Sequence, residues 1–413
     1  MSTTRTRVPT REDAQRLDAA DALAPFRDRF VFTDPERIYL DGNSLGMQPK
    51  ATIAALHDVI DEWGRDLIIG WRRWIDLPRE IGDLLAEHVI EARPGEIVVS
   101  DSTTVNLYKL TVAALHQRQG RKVIVTDDEN FPTDRYVFEG LAADRGLQIR
   151  VVHADPVEGI DPDAVAAAVD ADTAVVSFSH VSYRSAVIHD MRRITEIAHA
   201  AGALMLWDVS HSGGSVRVPL ESSGVDLATG CTYKYLNGGP GAPAYLYVRR
   251  DLAELCSPIW GWFGHRRQFA MPPEFDAAEG IERFLAGSPT VLSMIGIREG
   301  ARLIGEAGID RLQAKAAELT ELVIQLADAW LAPLGFAVAS PRDPKRRGSH
   351  VSLTHPDAKA FVRALIKEAN VITDFRTPDI VRVAPVPLTT RFVDAWDGMD
   401  RLRTLAARIV SDR

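Results

Sequence analysis

Lys234 stands between two tyrosines in CTYKYLNGGPG (231–241), just before a glycine-rich turn that lets backbone approach closely. Asp208 ends the apolar run ALMLW (203–207), which predicts a carboxylate at the carboxyl edge of a sheet strand, where open α/β sheets bind ligands; His211 follows shortly after. At SDSTTVNL (100–107) a strand gives way to a helix whose first turn offers hydroxyls, including those of Thr103 and Thr104, and free amides to an anion. NFPTD (130–134) supplies Phe131 as an aromatic plate with Asp134 beside it. Singly, these residues also suit a surface lysine, a turn-forming aspartate, an ordinary helix cap and a core phenylalanine. Together they offer an amine for a Schiff base, a carboxylate for a pyridine nitrogen, a ring face and phosphate donors. Those are the requirements of pyridoxal phosphate chemistry on a small amino acid.

Such groups need a sheet to position them. From Glu96 onward short apolar runs alternate with helical patterns, which predicts a parallel sheet flanked by helices. Strands are expected at 97–100, 122–126, 148–152, 173–178, 203–207 and 243–248, with helices at 52–67, 106–117, 135–145, 162–169 and 191–200. Two of these helices stop at Gly146 and Gly202. After Ser293 a long helical stretch runs to Leu331, where Pro333 and Gly335 break it. Short strands at 336–339 and 350–353, helices at 357–369 and 392–409, and an extended segment at 371–387 follow. The expectation is an α/β protein: a large domain over 50–293, and a smaller α+β domain formed by 1–49 and 294–413.

Bulk properties narrow the class. A net charge of −9 opposes nucleic-acid binding, which needs a concentrated basic surface. No apolar run approaches the ~18 residues of a membrane span. The two cysteines, Cys231 and Cys256, form neither a CxxC nor a disulfide framework, which fits a reducing cytoplasm. The charged N-terminus lacks the apolar stretch of a signal peptide and reads as a partly ordered arm leading into a first helix. No spacing of residues calls for a metal.

Six blocks, in order along nearly the whole chain, make it resemble kynureninase, a hydrolase of the fold-type-I pyridoxal-phosphate architecture. They are YLDGNSLGMQP (39–49), DSTTVNLYKL (101–110), NFPTD, WDVSHS (207–212), CTYKYLNGGPG and GWFGH (261–265). The resemblance implies that Lys234 carries the cofactor as a Schiff base, Asp208 pairs with its ring nitrogen and Phe131 covers its ring. Thr103, Thr104, Asp134, Ser179, His211 and Tyr233 would line the cofactor and its phosphate. Trp262 and Ser288 match positions that reach the cofactor across a dimer interface, implying a homodimer with shared active sites. Arg382 matches the arginine that grips the substrate carboxylate, a task for a bidentate guanidinium. Asn43 and Ser44 fall in a segment that folds back over the site.

The activity so implied is hydrolysis of L-kynurenine, or its 3-hydroxy form, to an anthranilate and L-alanine. Lys234 would move the α-proton, and Tyr233 would serve as general acid or base. Ser288 and Thr290, and the sequence PLTTR (387–391), depart from the pattern common among the family's members and bear on the ring pocket, while Arg65 in place of the animal-type histidine, together with Trp71, places the chain nearer the bacterial type and favours the unsubstituted ring. The same cofactor residues would also serve β-elimination from a cysteine conjugate, decarboxylation-linked deamination or processing of a modified kynurenine. A noncatalytic binding protein on this fold is the alternative of a different class.

Overall fold

The computed structural model describes residues 7–252 and 254–411. Helix α1 (Arg11–Ala20) opens on a capping box between Thr10 and Asp13; part of the arm expected ahead of it, residues 1–6, lies outside the described residues. The next elements are α2 (Lys50–Asp66), α3 (Leu77–His88), β1 (Ile97–Val99), α4 (Thr103–Gln117), β2 (Val123–Asp127), α5 (Pro132–Arg145) and β3 (Gln148–Val152). They are followed by α6 (Pro162–Ala168), β4 (Thr173–Ser179), α7 (Met191–Ala200), β5 (Leu204–Asp208), β6 (Leu227–Gly230) and β7 (Tyr245–Val248).

The seven strands form one sheet in the order β1-β7-β6-β5-β4-β2-β3. β7 runs antiparallel to both of its neighbours, and the other pairings are parallel. β2, β4, β5 and β6 are buried along their whole length, as strands covered on both faces must be. In β1 and β2 alternation divides the side chains between two apolar layers: Ile97, Val99, Val123 and Val125 join one core, Val98 and Ile124 the other. β6 was not expected. Its four residues, LATG, carry too little hydrophobic signal to stand out, and its burial comes from the strands on either side.

α8 (Val291–Ala307) and α9 (Ile309–Leu326) replace the single long helical stretch expected here, because Gly308 turns the chain with φ +79°. β8 (Ala337–Val338), β9 (Val351–Thr354), α10 (Ala358–Glu368), β10 (Asp374–Arg376), β11 (Ile380–Val383) and α11 (Phe392–Ser411) complete the fold. The four strands make an antiparallel sheet ordered β8-β9-β11-β10, so the extended segment is a hairpin. α8 buries Met294, Ile295, Ile297 and Leu303 in the core of the large sheet. α9, α10 and α11 build a second core with Ile38 and Leu40.

Residues 38–46 bridge the two sheets. Ile38 and Tyr39 pair in parallel with Val371 and Ile372. Leu40 then accepts from the Ala384 amide, and Gly46 donates to the Tyr233 carbonyl at 2.7 Å. A Cβ at Gly46 would lie 2.3 Å from the Lys234 carbonyl oxygen, so only glycine permits this crossing.

Candidate active site

The carboxyl ends of β4 and β5, the loop after β6, and the starts of α4 and α5 surround a cavity of about 280 Å³. Thr103, Thr104, Phe131, Asp134, Ser179, Asp208, His211, Tyr233 and Lys234 all line it. Ser102 caps α4 by accepting from the Val105 amide at 3.3 Å, leaving the free amides and hydroxyls of the first turn directed at the cavity. Pro132 at the first position of α5 fixes the turn that presents Phe131. The Asn130 side chain holds that turn, accepting from the Phe131 amide at 2.9 Å and from Ser179 Oγ at 2.8 Å.

Lys234 Nζ lies 2.9 Å from His211 Nε2 and 6.0 Å from the centre of the Tyr233 ring. Burial, reinforced by the Lys234 charge, holds the His211 imidazole well below its usual range, so its ring is neutral and can accept from the amine. Its Nδ1 is buried without a partner. Asp208 is fixed by the Ser210 amide at 2.8 Å. Asp134 faces it within hydrogen-bonding reach, and burial together with Asp208 pushes the Asp134 carboxyl well above the usual carboxylate range. Burial and the neighbouring carboxylate thus both favour the neutral form of Asp134. Burial also pushes the Tyr233 phenol up, with Cys231 adding to the effect, which holds it in its protonated form.

Arg382 stands beyond the wall formed by Tyr183, whose ring meets Phe131 edge-on at 5.3 Å and whose carbonyl accepts from the guanidinium at 2.7 Å. Asp374, directly opposite Arg382 in the β10/β11 register, takes the inner fork of the guanidinium, with Nε to Oδ1 at 2.9 Å. Ser44 Oγ accepts from the outer edge at 3.1 Å and donates to Asp374 at 3.0 Å. Asn43 is buried beside it with both polar atoms of its side chain unpartnered.

Trp262 and Ser288 are not brought to this cavity within the chain. Trp262 packs edge-on against Phe263 at 4.5 Å, and Ser288 lines a neighbouring cavity of about 430 Å³ that shares Ser102, Tyr233 and Ala242 with the first. Arg65 pairs with Asp66 on the exposed end of α2. Tyr183 and Asp374 escaped the sequence reading. Treating 371–387 as a hairpin about Thr377 and Pro378 would have set Asp374 against Arg382.

The donor set fits pyridoxal phosphate: hydroxyls and amides at a helix N-terminus, two buried carboxyl groups facing each other, an aromatic face, and an amine beside a neutral imidazole. The unpartnered Asp134 Oδ2 and His211 Nδ1 are buried polar atoms that a polar ligand would satisfy. Among the described residues no group of three or more His, Cys, Asp or Glu is arranged to hold a metal ion.

Residues 312–402 match the family model for the kynureninase C-terminal domain, and residues 85–242 match that for Cys/Met metabolism PLP-dependent enzymes. Over 411 residues the chain is 42% identical to kynureninase from Pseudomonas fluorescens, covering 97% of this chain and 96% of that one. The chain belongs to the kynureninase family. A kynureninase from Burkholderia pseudomallei is equally similar, 42% over 408 residues and 96% of each chain. The fold is shared more widely than the family. A cysteine desulfurase from Thermococcus onnurineus aligns with TM-score 0.77 at 20% identity, covering 100% of this chain and 99% of that one. A cystine C–S lyase aligns with TM-score 0.78 at 18%, covering 91% and 98%.

Proposed function

We propose that the chain is a pyridoxal-phosphate enzyme that hydrolyses L-kynurenine, or its 3-hydroxy form, to anthranilate, or 3-hydroxyanthranilate, and L-alanine. The observation that carries this reading is the near-full-length kinship with kynureninases, because other enzymes of the same fold act on sulfur-containing amino acids. Lys234 would hold the cofactor through its amine, Asp208 backed by Asp134 through its ring nitrogen, Thr103 and Thr104 through its phosphate. Phe131, Ser179 and His211 would enclose the ring. When bound, the cofactor supplies an electron sink for the pair left on the substrate's α-carbon.

Arg382 is already oriented by Asp374, so its outer edge is the one a substrate carboxylate would take, displacing Ser44 Oγ. Lys234 Nζ then removes the α-proton and returns it after cleavage. Water adds to the γ-carbonyl, the Cβ–Cγ bond breaks, and Tyr233 donates the proton that completes alanine. Asn43, with its side-chain atoms unpartnered, and Ser44 close over the bound amino acid.

The working unit is a homodimer in which Trp262 and Ser288 of one chain complete the other's site. Support comes from an exposed apolar surface that includes Ile68, Trp260 and Met271, each at least two-thirds exposed. Both cysteines are unpaired, and no helix among the described residues is long and apolar enough to cross a membrane; these fit a cytoplasmic enzyme.

Cofactor-loaded protein mixed with L-kynurenine is expected to yield anthranilate and alanine in equal amounts. In Lys234→Ala the turnover should vanish. Pyruvate or ammonia as products would instead favour elimination chemistry on the same scaffold.

A further inference from the structure

Lys109 lies in the DSTTVNLYKL block, on the second turn of α4, and its side chain is completely buried. No role in the reaction has been given to it. Its ammonium reaches Asp101 Oδ2 at 2.6 Å, the Phe284 carbonyl oxygen at 2.6 Å and Ser100 Oγ at 3.3 Å. A buried lysine costs a great deal unless it is fully paired, and these three acceptors match the three N–H groups of an ammonium. Nothing about packing alone asks for a charge here: the neighbouring α4 side chains Leu107, Leu110 and Ala113 are apolar and equally buried.

What the ammonium touches gives it a purpose. Asp101 holds φ +50°, a left-handed backbone uncommon outside glycine, though aspartate tolerates it better than most side chains. This residue is the turn from β1 into Ser102, Thr103 and Thr104. Its carbonyl is fixed by the Ala244 amide at 2.8 Å, and its carboxylate by Lys109. Another of the acceptors, the Phe284 carbonyl, leads into the segment that carries Ser288.

We propose that Lys109 is a positioning residue for cofactor binding: its ammonium clamps the Asp101 turn to the 284–288 segment and so sets the direction in which Ser102, Thr103 and Thr104 present their donors to the phosphate. This rests on the reading that the phosphate sits at the start of α4. Lys109 itself does not touch the cofactor. Its effect passes through the turn, and therefore falls on the phosphate handle rather than on the ring.

The test compares equilibrium binding of pyridoxal phosphate with that of pyridoxal, which lacks the phosphate, to the cofactor-free form of the full chain. In Lys109→Met the affinity for pyridoxal phosphate should fall by about tenfold to a hundredfold, the scale of lost hydrogen bonds to a charged group. Pyridoxal affinity should change less than about twofold on that account, and Lys109→Arg should recover part of the loss. If Lys109→Met does not fold, Asp101→Asn with Lys109→Met leaves no unpaired buried charge and is measured in its place against the same ratio. Equal losses for the two ligands, or none for either, overturn the clamp. Thr103→Ala with Thr104→Ala, measured alongside, separates the two ideas. If that variant spares pyridoxal phosphate binding, the phosphate reading falls and the clamp with it. If it weakens binding while Lys109→Met does not, only the clamp is overturned.

Discussion

The carboxylates around Arg382 give the site a pH dependence of its own. Burial pushes the Asp41 carboxyl up to about 6, with the Asp374 charge adding to the shift and Ser44 and Arg382 opposing it. Below that pH Asp41 is neutral and adds no charge to the field around the guanidinium, which Asp374, Ser44 and the Tyr183 carbonyl hold. As pH rises through about 6, Asp41 ionises and competes with an incoming substrate carboxylate for the same positive field. KM for the amino acid is therefore expected to rise by about fivefold to tenfold between pH 5 and pH 8. In Asp41→Asn, steady-state kinetics should show that slope gone; a slope unchanged in the variant would reject Asp41 as its source. At this scale the sequence was most legible where motifs are compact. Lys234, Asp208 and the threonines sit in short runs whose residue types fit one chemistry, and all of them line one cavity. Asp374 and Tyr183 were illegible because their importance lies in what a strand register and a backbone carbonyl bring to Arg382, which residue type does not advertise.

Among the elements, α8 packs closely against the loop that carries Lys234. It presents glycines to the loop after β6, and a Cβ at Gly300 would lie 1.8 Å from the Leu236 carbonyl oxygen. Replacing Gly300 with alanine ordinarily strengthens a helix by about 1 kcal/mol. Here it must push α8 or the Lys234 loop aside, and overpacking of that kind costs about 1–3 kcal/mol. Gly300→Ala should accordingly lower the melting temperature and weaken cofactor retention, whereas a higher melting temperature with full retention would show that the helix does not brace the loop. Hydrophobic period gave the buried strands and most helices to within a few residues, because strands covered on both faces read as continuous apolar runs. It failed at β6, where four small or short residues borrow their burial from neighbours, and at Gly308, where one residue's backbone freedom divides α8 from α9. The change of character after Ser293 is real in sequence, yet α8 packs with the large sheet, and the second core takes over beyond Gly308.

For the molecule as a whole, exposed apolar surface near the site decides how it should behave in solution. Leu67, Ile68 and Ile69 stand out from the surface close to Trp71, which packs against Phe263 at 5.8 Å; that contact links them to the loop carrying Trp260, Trp262, Phe269 and Met271. If this face joins two copies, Ile68→Asp should shift sedimentation toward the monomer and depress turnover, with activity recovering as protein concentration rises. A monomeric wild-type chain at full activity would refute the shared site. The bridge made by residues 38–46 also bears on the order in which the protein can be made. Its strand partners, Val371 and Ile372, and the Ala384 amide leave the ribosome long after it does, while the large sheet between them can already close. This early segment must wait for a much later one before Ser44 meets Arg382, so a growing chain with Lys234 already emplaced would still lack the pairing proposed to hold the substrate carboxylate.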